Sequence, residues 1–422
     1  MNPRLAWLWL FVLVNVIAAL MMWNLGEILG GIGTRVDSQS ELIWATLLVV
    51  VPYFVILGPV FGFISKIQFR SVDFGLDGAV LGRRIGQMLV VLQVLFMVFN
   101  LTEGVNIAGS GNTRSDSSFS ILWVLIPVDA LFIVYYGLYR ENKWFYPNLI
   151  IWTISNFSRG WMGIFLLSIF LEWCRSVRNK RISISGALLA LAVTLALYPI
   201  FLSAKWLVRA SASAGLSLPE VIDGVANILS GSDYFSLIGD GVMHLIVRIQ
   251  SVSMFVETMR LSDVLQAKFS AGEFSPFWME GLHGLAIDRL FFGKRPMYIG
   301  VAFTAYGDFG SGYDVGDWNT SLGYMSWLFI TPYLVPLYIA YTIFLGGVAF
   351  WMLKKCGSSL LAHDLLWYTW LVYLLAPWVA AFIGFIYALF IFFIIKMVVS
   401  KIPIVRFTSK PKLRNVSYDS IA

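Results

Sequence analysis

LAWLWLFVLVNVIAALMMW, residues 5–23, runs for nineteen residues without a charge. At about 1.5 Å of rise per residue a helix of that length covers roughly 28 Å, close to the hydrocarbon thickness of a bilayer. Outward from it the pattern recurs at 42–64, 86–101, 120–138, 145–157, 160–174, 183–203, 325–352, 362–378 and 380–399, giving ten apolar runs. The whole chain agrees: 59% of its 422 residues are hydrophobic and 13% are charged, too few to coat a core of this size with a polar shell. A water-soluble globule is excluded. The expected fold is an all-α polytopic membrane protein with about ten transmembrane helices.

Three runs are unusual. The runs 145–157 and 160–174 are short and are separated only by Ser158 and Arg159, which predicts a hairpin of two helices meeting below the membrane surface. The run 325–352 contains Pro332 and Pro336, which predict a tilt or a kink. The organisation that follows is an N-terminal bundle over 1–203 (spans 1–7), a large loop with amphipathic helices over 204–324, C-terminal spans 8–10 over 325–399, and a basic tail over 400–422.

Lysines and arginines of short connections set the orientation, because they resist translocation. With Met1 inside, 19 of the 30 Lys and Arg fall on the inner side, among them Arg4, Arg83, Arg84, Arg140, Arg175 and Arg178. Both termini are then cytoplasmic, the first run reads as an uncleaved signal anchor, and 204–324 lies outside. The net charge of +6 is thus a topology signal and implies no nucleic-acid partner. Cys174 and Cys356 fall at inner helix ends, where thiols stay reduced. Three histidines and two remote cysteines supply no metal-ligand spacing, and no Walker loop or GxGxxG occurs, so neither a metal nor any other cofactor is expected.

Function is sought in 204–324 and in the hairpin, since a connector of this length is usually functional and this one is long enough to cover the membrane surface as a lid. GDGVMHLIVRIQSVSMFVETMRLS (239–262) reads as an amphipathic helix with His244 and Arg248 one turn apart on one face. That face meets either a polar site or solvent. HGLAIDRLFFGKRP (283–296) gathers His283, Arg289, Lys294 and Arg295 beside Phe291 and Phe292, a composition that suits a phosphate or sugar ligand and equally an interfacial belt. In NFSRGWMG (156–163), Arg159 lies between two apolar runs, and an arginine there costs a few kcal/mol unless paired. Asp129 is a possible partner and can equally satisfy a local polar contact. Arg35, Asp37 and Glu41 in the first outer loop read as solvated.

Many spans, a short hairpin carrying Ser158-Arg159-Gly160 with Trp161 just after, a basic helix near Arg248 in the big loop and Asn319-Thr320-Ser321-Leu322 before the next span together resemble the Wzy-type O-antigen or oligosaccharide repeat-unit polymerases. The resemblance covers residues 144–350 best and extends to the related O-antigen ligases. It implies a GT-C-like fold in the bacterial inner membrane, with 204–324 in the periplasm. It also implies undecaprenyl-pyrophosphate-linked glycans as donor and acceptor, and allows a chain-length regulator (co-polymerase) in the same membrane. Arg159 and Arg248 stand where family members hold the pyrophosphate, and Arg289 to Gly300 matches a looser Arg-to-Gly spacing of the big loop. In DWNTSLGYMSW (317–327) Trp318 occupies the place of the ligases' functional histidine, which favours polymerase over ligase.

The chemistry stands without the family. Arginines neutralise a diphosphate as its glycosidic bond breaks, by charge-assisted bidentate bonds, and no metal is then required. The incoming hydroxyl needs a base, for which His244, His283, Glu257 and Glu280 are candidates with His244 preferred. Arg289, Lys294, Arg295, His283 and Asn319 are assigned to substrate binding, and Arg159, Arg248 and His244 to catalysis. The competing classes are an O-antigen ligase, a polysaccharide flippase or other transporter, and a metal-dependent glycosyltransferase using Asp37 and Glu41.

Overall fold

The computed structural model describes residues 2–30, 35–105, 119–159, 163–179, 192–200, 218–231, 234–292, 297–306, 322–376 and 378–402, with isolated positions elsewhere. Among these residues the chain is all-α; one isolated β-bridge, Glu27 with Arg35, is the extent of its β structure. Among the described residues six helices are long and apolar enough to cross a membrane. They are α1 (Pro3–Leu25), α2 (Gln39–Lys66), α3 (Gly78–Glu103), the pair α4 (Ser120–Leu125) and α5 (Val128–Tyr139), a fifth within Pro332–Cys356, and a sixth, Val379–Lys401. The protein is therefore a multi-pass membrane protein. The two short runs are α6 (Phe145–Ser158) and α7 (Gly163–Arg178), and residues 160–162 between them lie outside the described residues.

The chain continues through α8 (Leu218–Gly231), α9 (Tyr234–Ile249), α10 (Val252–Arg260), α11 (Ser262–Ser270), α12 (Leu282–Ile287) and α13 (Ile299–Tyr306). Three further helices, α14 (Val335–Cys356), α15 (Leu360–Thr369) and α16 (Val379–Lys401), complete the bundle. Of the run 183–203, only part falls within the described residues, and the tail 403–422 lies outside them.

Helix α5 is the axis of the bundle. Leu131 to Tyr136 are all buried, the all-round apolar surface of a helix enclosed on every side. It packs against α3, α6, α15 and α16. Gly86 makes its seat on α3 possible: a Cβ there would lie 2.5 Å from the Tyr135 hydroxyl, and the bare backbone lets Tyr135 donate to the Gly82 carbonyl at 3.1 Å. Leu13, Leu20, Ile150 and Phe344, by contrast, stay exposed on outward faces, as lipid-facing side chains do.

Proline accounts for two irregularities. Pro59 sits in a π turn, Ile56–Val60, that interrupts α2, where the wider turn absorbs the missing N–H. The run 325–352 is broken at Pro332: a short helix, Trp327–Ile330, ends before it, Pro332 opens a 3-10 turn and Pro336 lies in the first turn of α14, both positions where no intrahelical N–H is needed. The run 362–378 is likewise not one helix, because α15 passes into a π turn at Trp370–Leu374. Trp370 there lies so close to Gly346 of α14 that a Cβ would meet its ring at 2.1 Å.

The bundle has two distinct ends. At one, Arg4 at the start of α1, Arg140 after α5, and Arg175 and Arg178 at the end of α7 gather; this is the arginine end. At the other, α1 ends, α2 begins and α6 closes at Arg159; the α9–α10 segment enters there, and this is the loop end.

Candidate functional site

At the loop end the last turn of α6 meets the first turn of α5. Arg159 follows Ser158 at the C-terminus of α6, and Asp129 lies in the first turn of α5, so each charge sits at the helix terminus whose partial charge favours it. They join through Arg159 Nη1 to Asp129 Oδ2 at 2.8 Å and Nη2 to Oδ1 at 2.8 Å, a bidentate fork. Arg159 Nε donates to the Ser155 carbonyl at 3.0 Å, and the Phe96 ring of α3 lies 5.0 Å from the guanidinium carbon. The Arg159 side chain is 4% exposed and that of Asp129 19%. Asn156 donates to the same Asp129 oxygen at 3.2 Å. Deeper on the same face of α6, Asn148 accepts from Gln93 of α3 at 2.9 Å, extending a polar stripe into the bundle.

The stretch 239–262 is not a single surface helix. It breaks at Gln250–Ser251 into α9 and α10, and the break descends to the mid-point of α1, where Asn15 Oδ1 accepts the Ser251 N–H at 2.9 Å. A backbone break at membrane depth is tolerated only where its polar groups are satisfied inside the protein. They are: Ser253 N–H donates to Gln250 Oε1 at 3.0 Å, and Gln250 Nε2 donates to Ser253 Oγ at 2.5 Å. The pair is a re-entrant hairpin packed against α1 and α2 rather than a lid over the surface. Its upper end is fixed by Arg260, which forks onto Glu41 of α2 at 3.0 and 2.9 Å and reaches Asp37 at 3.0 Å and Glu257 at 3.3 Å. Asp37 and Glu41 are therefore ion-paired, not merely solvated. Burial pulls the Arg260 guanidinium down, but Glu41, Glu257 and Asp37 outweigh it and hold it above its ordinary range.

Glu280 follows a 3-10 turn, Phe277–Met279, whose Phe277 ring packs on Tyr338 and Trp327 with centroids 5.0 and 5.3 Å away. The side chain is enclosed, its Oε1 has no hydrogen-bond partner, and the Tyr338 hydroxyl is likewise unpartnered. Burial pushes the carboxyl up to about 8, against a hydrogen bond to the Ile299 backbone that pulls it down. At neutral pH it is mostly protonated.

Of the residues that sequence singled out, Arg159 is brought onto Asp129, and His244 and Arg248 share α9 one turn apart, His244 half-buried beside the Tyr198 ring and Arg248 exposed. Glu257 is committed to Arg260. His283 is exposed on α12, its Nε2 2.6 Å from the Trp278 carbonyl oxygen, beside an apolar groove of about 360 Å³ between α14 and α16. Arg289 falls in a π turn, Asp288–Phe292, and of Arg289 the backbone alone is described; Lys294, Arg295, Asn319 and Trp318 lie outside the described residues. Asn15, Arg260 and Asp364 were missed. A lone Asn in an otherwise apolar run was the available signal for the first; the others' partners are remote in sequence.

Among the described residues no cluster of His, Cys, Asp or Glu has the geometry of a metal site. Both cysteines are free and buried. Compared with protein-family models, with curated proteins and with solved structures, the chain matches none of them.

Proposed function

We propose that this protein is a bacterial inner-membrane glycosyltransferase that joins undecaprenyl-pyrophosphate-linked oligosaccharide repeat units at its loop end, as Wzy-type polymerases do. This reading takes the loop end as periplasmic, both termini as cytoplasmic, the run 183–203 as a further span of a GT-C-like bundle, and a chain-length regulator as a possible membrane partner. The observation that carries it is the buried Arg159–Asp129 fork at the end where the re-entrant hairpin enters. A charge pair so placed is costly to bury and fixes a guanidinium plane where a diphosphate can share it. In the reaction the anomeric carbon–oxygen bond of the donor breaks, the lipid diphosphate leaves with the bonding electrons, and the acceptor hydroxyl oxygen bonds to that carbon. The acceptor proton passes to a base. Glu280 is enclosed and holds its proton at neutral pH, which leaves the half-buried His244 as the candidate base.

The test is surface polysaccharide resolved on a gel from a deletion strain complemented with wild type, Arg159→Lys, Arg248→Ala or Asp37→Ala, with protein levels matched. The expected result is single capped repeat units in the deletion, a ladder restored by wild type and by Asp37→Ala, and none restored by Arg159→Lys or Arg248→Ala. Loss of the ladder with Asp37→Ala and its retention with Arg159→Lys would instead support a metal-dependent transferase.

One observation favours a second reading, a proton-coupled flippase: an enclosed, protonated carboxyl such as Glu280 is also what a proton relay uses. In that case the deletion abolishes even the single capped unit.

A further inference from the structure

The arginine end holds a cavity of about 550 Å³ that the proposed reaction does not use. Three of its lining residues are Arg140, Arg175 and Arg178, from the ends of α5 and α7. The carboxylates available to them are few. Glu172 accepts from Arg140 Nε at 2.5 Å and lies 3.5 Å from Arg175 Nη1. Asp364, fully buried, is shared by Arg178 and by Arg4, whose Nε is 2.7 Å away. Four guanidiniums, of which Arg4 stands outside the cavity lining, thus meet the buried Asp364 and the half-buried Glu172. The remaining counter-charge, Glu141 at 2.8 Å from Arg175 Nη2, is 79% exposed and so largely screened by water.

The backbone around the cavity adds to the same sign. Gly78 and Ala79, which line it, are the first residues of α3, and Asp77 at that helix's N-cap position makes no side-chain cap. Ser359 and Leu360, on another wall, begin α15. The start of α3 thus brings a positive end without a side-chain cap to a pocket already rich in arginine, while that of α15 is capped by Ser359 Oγ, which accepts the Ala362 N–H at 2.9 Å.

From this cavity, its surplus of guanidinium charge and the start of α3 beside it, we infer that the arginine end is a binding site for a phosphate group. The inference is independent of what happens at the loop end. The phosphate belongs either to an anionic phospholipid headgroup of the adjoining leaflet or to a free phosphate compound in solution.

The full-length protein in nanodiscs tests it by thermal unfolding. In phosphatidylcholine alone, inorganic phosphate is titrated; in a parallel series phosphatidylglycerol is added to the bilayer without phosphate. Stabilisation by phosphate supports a soluble ligand, and stabilisation by phosphatidylglycerol supports a headgroup. In either case Arg175→Gln should weaken the response roughly tenfold or more, the order expected for loss of one charged hydrogen-bond partner. Asn142→Asp, which adds a negative charge at the cavity wall while keeping the oxygen that accepts the Trp144 N–H, should weaken it as well. Glu141→Gln removes the competing exposed carboxylate and should strengthen the response, an effect that a purely structural ion pair would not give. Absence of stabilisation by both probes in wild type, or equal responses in wild type, Asn142→Asp and Glu141→Gln, overturns the inference.

Discussion

In the Arg159–Asp129 fork of the loop end one guanidinium faces one carboxylate where two helix termini meet; at the arginine end four guanidiniums share Glu172, Asp364 and the exposed Glu141. The first arrangement is neutral and closed, with Arg159 almost wholly covered. The second carries surplus positive charge and borders a cavity. One protein thus uses arginine in two ways: in a matched pair at the junction of two helix termini, and as a cationic lining around a cavity.

Removing the fully buried carboxylate should have the largest effect. Asp364→Ala strands Arg4 and Arg178 together and should cost about 5 kcal/mol, read as failure to accumulate or as a collapsed unfolding midpoint in mild detergent. A near-neutral result would mean that the arginine end is solvated and its charge surplus irrelevant. At the loop end Arg159→Ala should cost about 4 kcal/mol, because it leaves Asp129 buried and unpaired. The double variant Arg159→Ala/Asp129→Ala should recover most of that stability while remaining inactive, which separates holding the fold from handling substrate. If the double variant is as unstable as the single one, the matched-pair description fails.

Glu280 gives a pH-dependent difference of intermediate size. Its folded carboxyl lies above the ordinary range, so the folded state holds a proton that the unfolded state gives up. Stability is full below the ordinary carboxylate range and falls as pH rises towards about 8. Wild type should lose roughly 3–4 kcal/mol between pH 5 and pH 8.5 through this group. Glu280→Gln should lack that part of the dependence and be the more stable protein at pH 8.5, measured by unfolding at each pH. The smallest effect belongs to the exposed Glu141 at the arginine end: Glu141→Gln, without ligand, should change stability by less than about 1 kcal/mol.

Much of the bundle could be read from run length alone. The run 5–23 becomes α1, 42–64 becomes α2, and 380–399 becomes α16, because a continuous apolar stretch has few other folds open to it. Arg159 was legible for the complementary reason: a charge amid apolar runs demands a partner, and Asp129 was within reach on the neighbouring helix. The re-entrant break was not legible. Periodicity runs straight through Gln250 and Ser251, and the acceptor that makes the break tolerable, Asn15, lies 236 residues away. Asp364 was hidden in the same way, since its partners come from the first turn of the chain and from α7. Helical repeats report on neighbours within one segment, whereas these contacts are settled by which segments meet.

The re-entrant hairpin also constrains how the protein is made. Helix α9 has 16 residues and α10 has 9, both short of the roughly 20 needed to halt a translocating chain in the bilayer. The segment is therefore delivered to one side of the membrane first and enters the bundle afterwards. Until it arrives, the Asn15 carboxamide faces an apolar surround without the Ser251 N–H that it accepts in the finished fold. Helix α1 thus waits for a segment synthesised more than two hundred residues later, and docking of the hairpin follows its insertion.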